Sequence, residues 1–400
     1  MKILSVTAQK VDSTGSGIFL TELVKSFEKL GHEQAVVCGT VAEDIISLPD
    51  SVSLFPVFYK TPALPFPICG MSDEMPYEST RYRDLDEAMT EQLLDNFRTQ
   101  IREAVETFQP DVVICHHLYF LAALIRQMYP QLKIYGQCHG SDLRQIRKNS
   151  WQRNWIVDNI RKLDGIFALH AQQKQTIVEI FGVDGSKVHV MGTGYNSHVF
   201  CLQEAEKAKK DPNKIRLIFA GKLSEKKGLY SLLRALRLLS QPERYELVLA
   251  GGYGNQAEYA AICRLAEFAP CPVTFLGRLN HQELALEMNR SDVFILPSFY
   301  EGLPLVLIEA MACGLKTICT DLPGIRPWLD AAIPGSGTTF IQPPRMFNED
   351  EPYPEDLSQF ELELARAIEA IHNRPAADQQ LVKKVSWDGL SQAYCTIWNS

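Results

Sequence analysis

Two glutamates stand with seven residues between them in "PSFYEGLPLVLIEAMACGLKT" (297–317). Pro304 suits the first turn of a helix, where its missing N–H costs nothing. The spacing predicts a helix from about Pro304 to Cys313, stopped by Gly314. Glu301, beside Gly302 and Leu303, then lies in the loop before the helix. The amides of Leu305 and Val306 fall among the unpaired N–H groups of the first turn. That end carries partial positive charge and suits a phosphate. Glu309 is four residues after Leu305 and three after Val306, so it shares their face. A carboxylate there can accept hydrogen bonds from a ribose diol one turn below a bound diphosphate. It can equally pair with a nearby cation.

Cations stand at a second junction, "FAGKLSEKKGLYSLL" (219–233). Lys222 and Lys227 could both reach phosphate oxygens there, although "SEKKG" also reads as a solvated charged loop. In "STGSGIFL" (13–20), Gly15 and Gly17 let the backbone approach a ligand before a helix begins. As G-x-G alone this signal is weak. The third glycine of a dinucleotide fingerprint is replaced by Leu20, and no acid closes the second strand. In "CHGSD" (138–142), His139 could bond a sugar hydroxyl, with Asp142 orienting it or capping the next helix. His116 and His117 end the preceding strand. Three histidines could suggest a metal, but no carboxylate has ligand spacing to them, so none is expected.

Alternating strands and helices must position these residues. "KILSVTA", "EQAVVCG", "DVVICHH" and "KIYGQCHG" are strands; so are "KIRLIFAGK", "YELVLAGG", "VTFLG", "DVFILPS" and "KTICTD". Amphipathic helical patterns lie between them. Such alternation implies parallel sheets with crossover helices. A break near "MGTGYNSHVF" (191–200) divides the series, giving two doubly wound, Rossmann-like α/β domains facing a cleft. Ligands of such sheets bind beyond the carboxyl ends of the strands. The Pro-rich 58–80 reads as a long loop, and 342–356 as an acidic surface excursion.

The 400 residues, with 46% hydrophobic and 22% charged, suffice for two soluble domains. A net charge of −8 argues against general nucleic-acid binding. Ten scattered cysteines without a C-x-x-C pair fit free thiols in a reducing compartment. The N-terminus reads as a first strand rather than a signal peptide, and no run is long enough to span a membrane. A cytoplasmic protein is expected.

Together these residues resemble the retaining glycosyltransferases of family 4, which have the GT-B fold. "SFYEGLPLVLIEAMACG" is similar to that family's signature of two spaced glutamates. The resemblance implies that Glu301 contacts the donor sugar and Glu309 the ribose, with the diphosphate on the helix end at Leu305 and Val306. "GKLSEKKG" is similar to the G-R-…-K-G segment, whose cations bind the diphosphate; Lys222 stands where arginine is usual and loses its bidentate fork. "FLGRLNHQEL" is similar to the segment whose backbone hugs the nucleotide base, at Arg278 and Leu279. Gly17 matches the loop glycine that approaches the phosphates. His139 matches the acceptor-domain histidine near the reacting sugar. Lys316 and the "TDLPGIRPW" stretch depart from the family pattern.

The implied layout is an acceptor-binding domain over 1–192, a nucleotide-sugar domain over 193–375, and a C-terminal helix in 376–400 packing back toward the first. The implied reaction is transfer from a nucleotide-diphosphate sugar, by default a UDP-sugar, with retention, through front-face attack and without cofactor or metal. "DLD" (84–86) spells a metal motif of another fold, but it falls in an expected helix and reads as a solvated face. A nucleotide-sugar epimerase or a non-catalytic binding protein would keep the same sheets, and a nicotinamide dehydrogenase would need the missing glycine and acid. The acceptor, whether small molecule, lipid-linked or glycan, is not readable. Residues 126–162 carry eight cations against two acids. The stretch 142–163 reads as a basic helix with Trp151 and Trp155. It could lie peripherally on the inner face of a membrane, grip a phosphorylated acceptor, or turn its tryptophans to the core.

Overall fold

The structure, a computed structural model, describes residues 1–72, 75–348 and 351–399. Asp73 and Glu74 of the Pro-rich stretch, and Glu349 and Asp350 of the acidic one, lie outside the described residues. The chain divides into two compact units, Met1–Thr193 with Trp387–Ser400, and Gly194–Ser386.

The first unit begins with strands β1 (Lys2–Val6), β2 (Glu33–Thr40) and β3 (Ser53–Phe58), followed by a short pair, β4 (Cys69–Gly70) and β5 (Thr80–Arg81). Strands β6 (Val112–His116), β7 (Ile134–Gln137), β8 (Gly165–Ala168) and β9 (Val188–Val190) follow. Seven strands form one parallel sheet in the order β3-β2-β1-β6-β7-β8-β9. The central runs are largely apolar, as a parallel sheet covered on both faces requires. Strand order reverses at β1, where Leu4 lies opposite both Ala35 and Val113.

The helix Gly15–Lys29 starts where the Thr14 hydroxyl accepts the Gly17 amide at 3.1 Å. It buries Phe19, Leu20, Leu23, Val24 and Phe27. The Pro-rich stretch is less open than its composition suggests. Leu64, Phe66, Ile68, Cys69 and Met71 all sink into the core, and two short strands cross it. Residues 376–400 hold two helices rather than one. Gln379–Lys384 belongs to the second unit, where the Gln379 amide donates to the Met311 carbonyl. Trp387–Trp398 belongs to the first unit and packs on Gly15–Lys29. There Trp398 lies 5.2 Å from Phe27, ring to ring, and the Tyr394 hydroxyl bonds the buried Gln137.

The second unit holds strands β10 (Ile215–Ala220), β11 (Tyr245–Ala250), β12 (Val273–Gly277), β13 (Val293–Leu296), β14 (Lys316–Thr320) and β15 (Thr339–Ile341). They form a parallel sheet in the order β12-β11-β10-β13-β14-β15. Its order reverses between β10 and β13, so two loops diverge there to opposite faces. All ten cysteines are free; burial pushes the thiol of Cys38 up to about 12, which makes it inert. Among the described residues, no helix is long and apolar enough to cross a membrane.

Candidate active site

The loops that leave β10 and β13 are stitched together by their backbones. After β10, residues Glu225–Lys227 form one tight turn, closed by the Gly228 amide on the Glu225 carbonyl at 2.7 Å. Gly228 has a φ of +72°, and a Cβ there would lie 2.0 Å from the Pro297 carbonyl oxygen. The Phe299 amide reaches back to the Lys226 carbonyl at 3.0 Å. Glu258, on the helix Gln256–Glu267, takes the Glu225 amide at 2.7 Å and steadies the same turn.

This stitching sets Lys227 against Glu301. The ammonium lies 2.7 Å from Glu301 Oε1, and the Ser298 hydroxyl donates to that same oxygen at 2.7 Å. Ser298 is fully buried, whereas both charged groups keep some exposure. Ser298 and Glu258 escaped the sequence reading. Ser298 stood three residues before Glu301, within one turn's reach, whereas no local signal marked Glu258, thirty-three residues from the amide it holds.

The helix following this loop runs Leu305–Ala312, as its spacing predicted, with Gly314 ending it at a φ of +79°. Pro304 precedes it and offers no side-chain cap. The Leu307 amide bonds the Pro304 carbonyl. The amides of Leu305 and Val306 are therefore the ones a ligand oxygen can take. Glu309 is half-buried on this helix. Leu303 and Val306 pack their side chains on the core, so only their backbone can serve a polar ligand. Gly302 is exposed, and nothing would touch a Cβ there.

Neighbouring loops complete the carboxyl edge of this sheet. The Gly251 amide bonds the Gly277 carbonyl at 2.7 Å, and the Leu223 amide bonds that of Gly252 at 2.8 Å. Lys222 is exposed, and its ammonium would lie 3.0 Å from a Cβ at Gly254. Arg278 lays its side chain across Gly252, where a Cβ would meet Nε at 2.3 Å; Leu279 beside it is half-buried. The structure thus gathers Lys222, Lys227, Arg278, Leu279, Glu301 and the helix end along one edge of one sheet.

The first unit has a site at its own reversal of strand order. His116 ends β6 and His117 follows it, and His139 follows β7. His116 Nδ1 and His139 Nε2 are 3.1 Å apart, and their rings stack at 5.3 Å. His117 lies 4.8 Å from His139, and Phe19 meets His139 edge-on at 5.2 Å. Burial lowers His116 to about 3 and holds His117 and His139 below the usual imidazole range, so all three are neutral at pH 7. His116 Nε2 and both nitrogens of His117 are buried without a protein partner, and His117 has a φ of +74°. Such outliers cluster at functional sites. Asp142 ties the two loops: its carboxylate takes the Leu118 amide at 2.8 Å and the His139 amide at 3.4 Å.

Gly17 is required for a local reason as well as any ligand. A Cβ there would lie 2.6 Å from the Lys10 carbonyl oxygen. The D-x-D stretch does not lie within a helix, as expected, but before one. Asp84 closes a single turn and pairs with Arg81, while Asp86 caps Glu87–Phe108 through the Met89 amide. Among the described residues, no group of three side chains is arranged to hold a metal. The basic stretch is two helices, Ser141–Lys148 and Arg153–Ile160, rather than one. Trp151 between them donates to the Thr90 hydroxyl, and Trp155 to the Gln127 side chain, each at 3.0 Å. Both indoles pack against the core, as in the core-facing alternative.

Comparison with known proteins places these two units. Residues 13–197 match the family model described as Glycosyltransferase Family 4, and residues 202–344 match Glycosyl transferases group 1. A glycogen synthase of Mycobacterium tuberculosis is 26% identical over 190 residues, 48% of this chain and 44% of that protein. An alpha-maltose-1-phosphate synthase of the same organism is 23% identical over 266 residues, 61% of this chain and 65% of that protein. The chain therefore spans about half to two thirds of these relatives. Anabaena HepE, solved in complex with UDP, has the same fold, with a TM-score of 0.69 and 14% identity, covering 100% of both chains. The comparisons lend the epimerase alternative no support.

Proposed function

We propose that this chain, which carries the paired domains of a GT-B glycosyltransferase, moves a sugar from a nucleotide-diphosphate sugar to an acceptor with retention of configuration. The observation that carries the reading is the Lys227–Glu301 pair beside the uncapped start of Leu305–Ala312, at the point where strand order reverses. A cation, a carboxylate and open helix amides in one place suit a diphosphate joined to a polyol.

The diphosphate is assigned to the amides of Leu305 and Val306 with Lys222 and Lys227. Glu309 takes the ribose, Arg278 and Leu279 flank the base, and Glu301 takes the sugar hydroxyls beside Gly302 and Leu303. Charge grows on the leaving phosphate as the glycosidic bond breaks, and the two lysines and the helix end oppose it. That phosphate takes the acceptor's proton. His139, neutral and with Nε2 engaged by His116, is assigned to a sugar hydroxyl through Nδ1. Gly17 is assigned to the approach of the first unit's loop to phosphate. A uridine donor is favoured by the HepE complexes, described with UDP and with UDP-glucose. The acceptor is a small molecule, a lipid-linked sugar or a glycan.

A thermal-shift panel of nucleotide sugars tests the donor assignment, because a bound ligand raises the melting temperature by mass action. At least one nucleotide sugar is expected to raise it. A panel without a response defeats the reading. Proton NMR of the first product identified then reports the anomeric configuration, and an inverted product removes the retaining part.

A further inference from the structure

We infer that Ser298 is a positioning residue that keeps Glu301 in place while Lys227 passes from Glu301 to the donor's diphosphate. The inference rests on the nucleotide-sugar reading above. One oxygen, Glu301 Oε1, takes both the Lys227 ammonium and the Ser298 hydroxyl. Lys227 has two tasks that compete. It neutralises Glu301, 2.7 Å away, and it is also assigned to the donor's phosphate. A diphosphate carries more charge than one carboxylate, so the flexible lysine transfers to it.

Glu301 would then lose its cation at the moment it must hold a sugar. Ser298 holds the carboxylate in position when the cation leaves. Its side chain is fully buried, and the loop carrying it is fixed by the Phe299–Lys226 bond and by the contact of Gly228 with Pro297. The hydroxyl cannot follow Lys227, and so Oε1 stays anchored while Oε2 is left for sugar hydroxyls. A hydrogen bond to a charged group is strong enough to do this alone.

Calorimetry on the intact chain tests the inference, using the diphosphate and sugar-nucleotide pair that the wild type binds from UDP/UDP-glucose, GDP/GDP-mannose and ADP/ADP-glucose. Ser298→Ala should bind the plain diphosphate within roughly 2-fold of wild type and the sugar nucleotide roughly 10-fold more weakly. In a Glu301→Ala background the same change should have no further effect on their ratio. Glu301→Gln should bind the plain diphosphate roughly 2- to 5-fold more tightly, because Lys227 no longer has a competing carboxylate. Equal losses for both ligands in Ser298→Ala, no loss for either, or losses that add in the double variant would overturn the positioning role. Weaker diphosphate binding by Glu301→Gln would overturn the transfer of Lys227. A wild-type chain that binds none of the six overturns the donor reading and this inference with it.

Discussion

Gly228 faces the Pro297 carbonyl so closely that a Cβ would stand 2.0 Å from its oxygen. The φ of +72° adds a second reason for glycine. Gly228→Ala must therefore push the lysine turn away from the glutamate loop. Combined strain and overlap should cost about 2 kcal/mol or more of stability. Denaturant unfolding reads this directly, and an unchanged midpoint would show that the two loops can part freely.

Lys227→Ala should cut turnover of the donor roughly 100-fold, because it removes a cation that opposes charge growing in the transition state. Near-normal turnover would reduce Lys227 to a structural partner of Glu301. Lys222→Arg should be tolerated, since Lys222 is exposed and arginine restores a fork suited to phosphate.

Glu309→Ala should weaken nucleotide binding more than it disturbs folding. The carboxylate is half-buried on the helix that offers its first amides to phosphate. Titration with the plain nucleotide diphosphate isolates the ribose contact from the sugar. Wild-type affinity in the variant would remove Glu309 from the ribose.

Much of this arrangement was legible because it is local. The helix after Glu301, its proline start and its Gly314 stop follow from neighbours in sequence, as do nine strands of the two large sheets, whereas β3, β8, β9 and β15 escaped the reading. What escaped depends on distance along the chain. Glu258 reaches an amide thirty-three residues away, and His116 meets His139 across twenty-three. The two tryptophans of the basic stretch could face the core, a membrane or a phosphorylated acceptor. Only their partners decide the matter, and Thr90 lies sixty-one residues from Trp151. The break between the helices Ser141–Lys148 and Arg153–Ile160 falls at Gln152, whose φ is +54°. No glycine or proline announces it.

The neutral histidine pair makes stability depend on pH. Burial holds His116 at about 3 instead of its ordinary 6.5, and lowers His117 and His139 as well. As pH falls below 6.5, the unfolded chain binds protons that the folded one refuses. The contribution is complete above that value and is lost progressively as pH falls toward 3. His116→Gln removes one such site, so its stability should fall less steeply than wild type, by about 1 kcal/mol per pH unit between about pH 6 and 4. Carboxylates titrate in both proteins and cancel in the comparison. Parallel curves would mean that His116 is protonated in the folded chain.

The basic stretch should meet anionic surfaces through charge alone. Arg147, Lys148, Arg153, Arg161 and Lys162 are exposed. Trp151 and Trp155, which would have to enter a bilayer, are instead bonded to Thr90 and Gln127 and packed on the core. Arg126 is buried against Asp164 and cannot contribute. Co-sedimentation with anionic vesicles should therefore fade as salt rises from about 0.01 to 0.5 M, as screening shortens the reach of exposed charges. Neutral vesicles should bind nothing, and tryptophan emission should not shift to the blue in either case. Salt-resistant binding with a blue shift would mean that the two helices release their indoles and insert them, and the core-facing assignment of Trp151 and Trp155 would then fail.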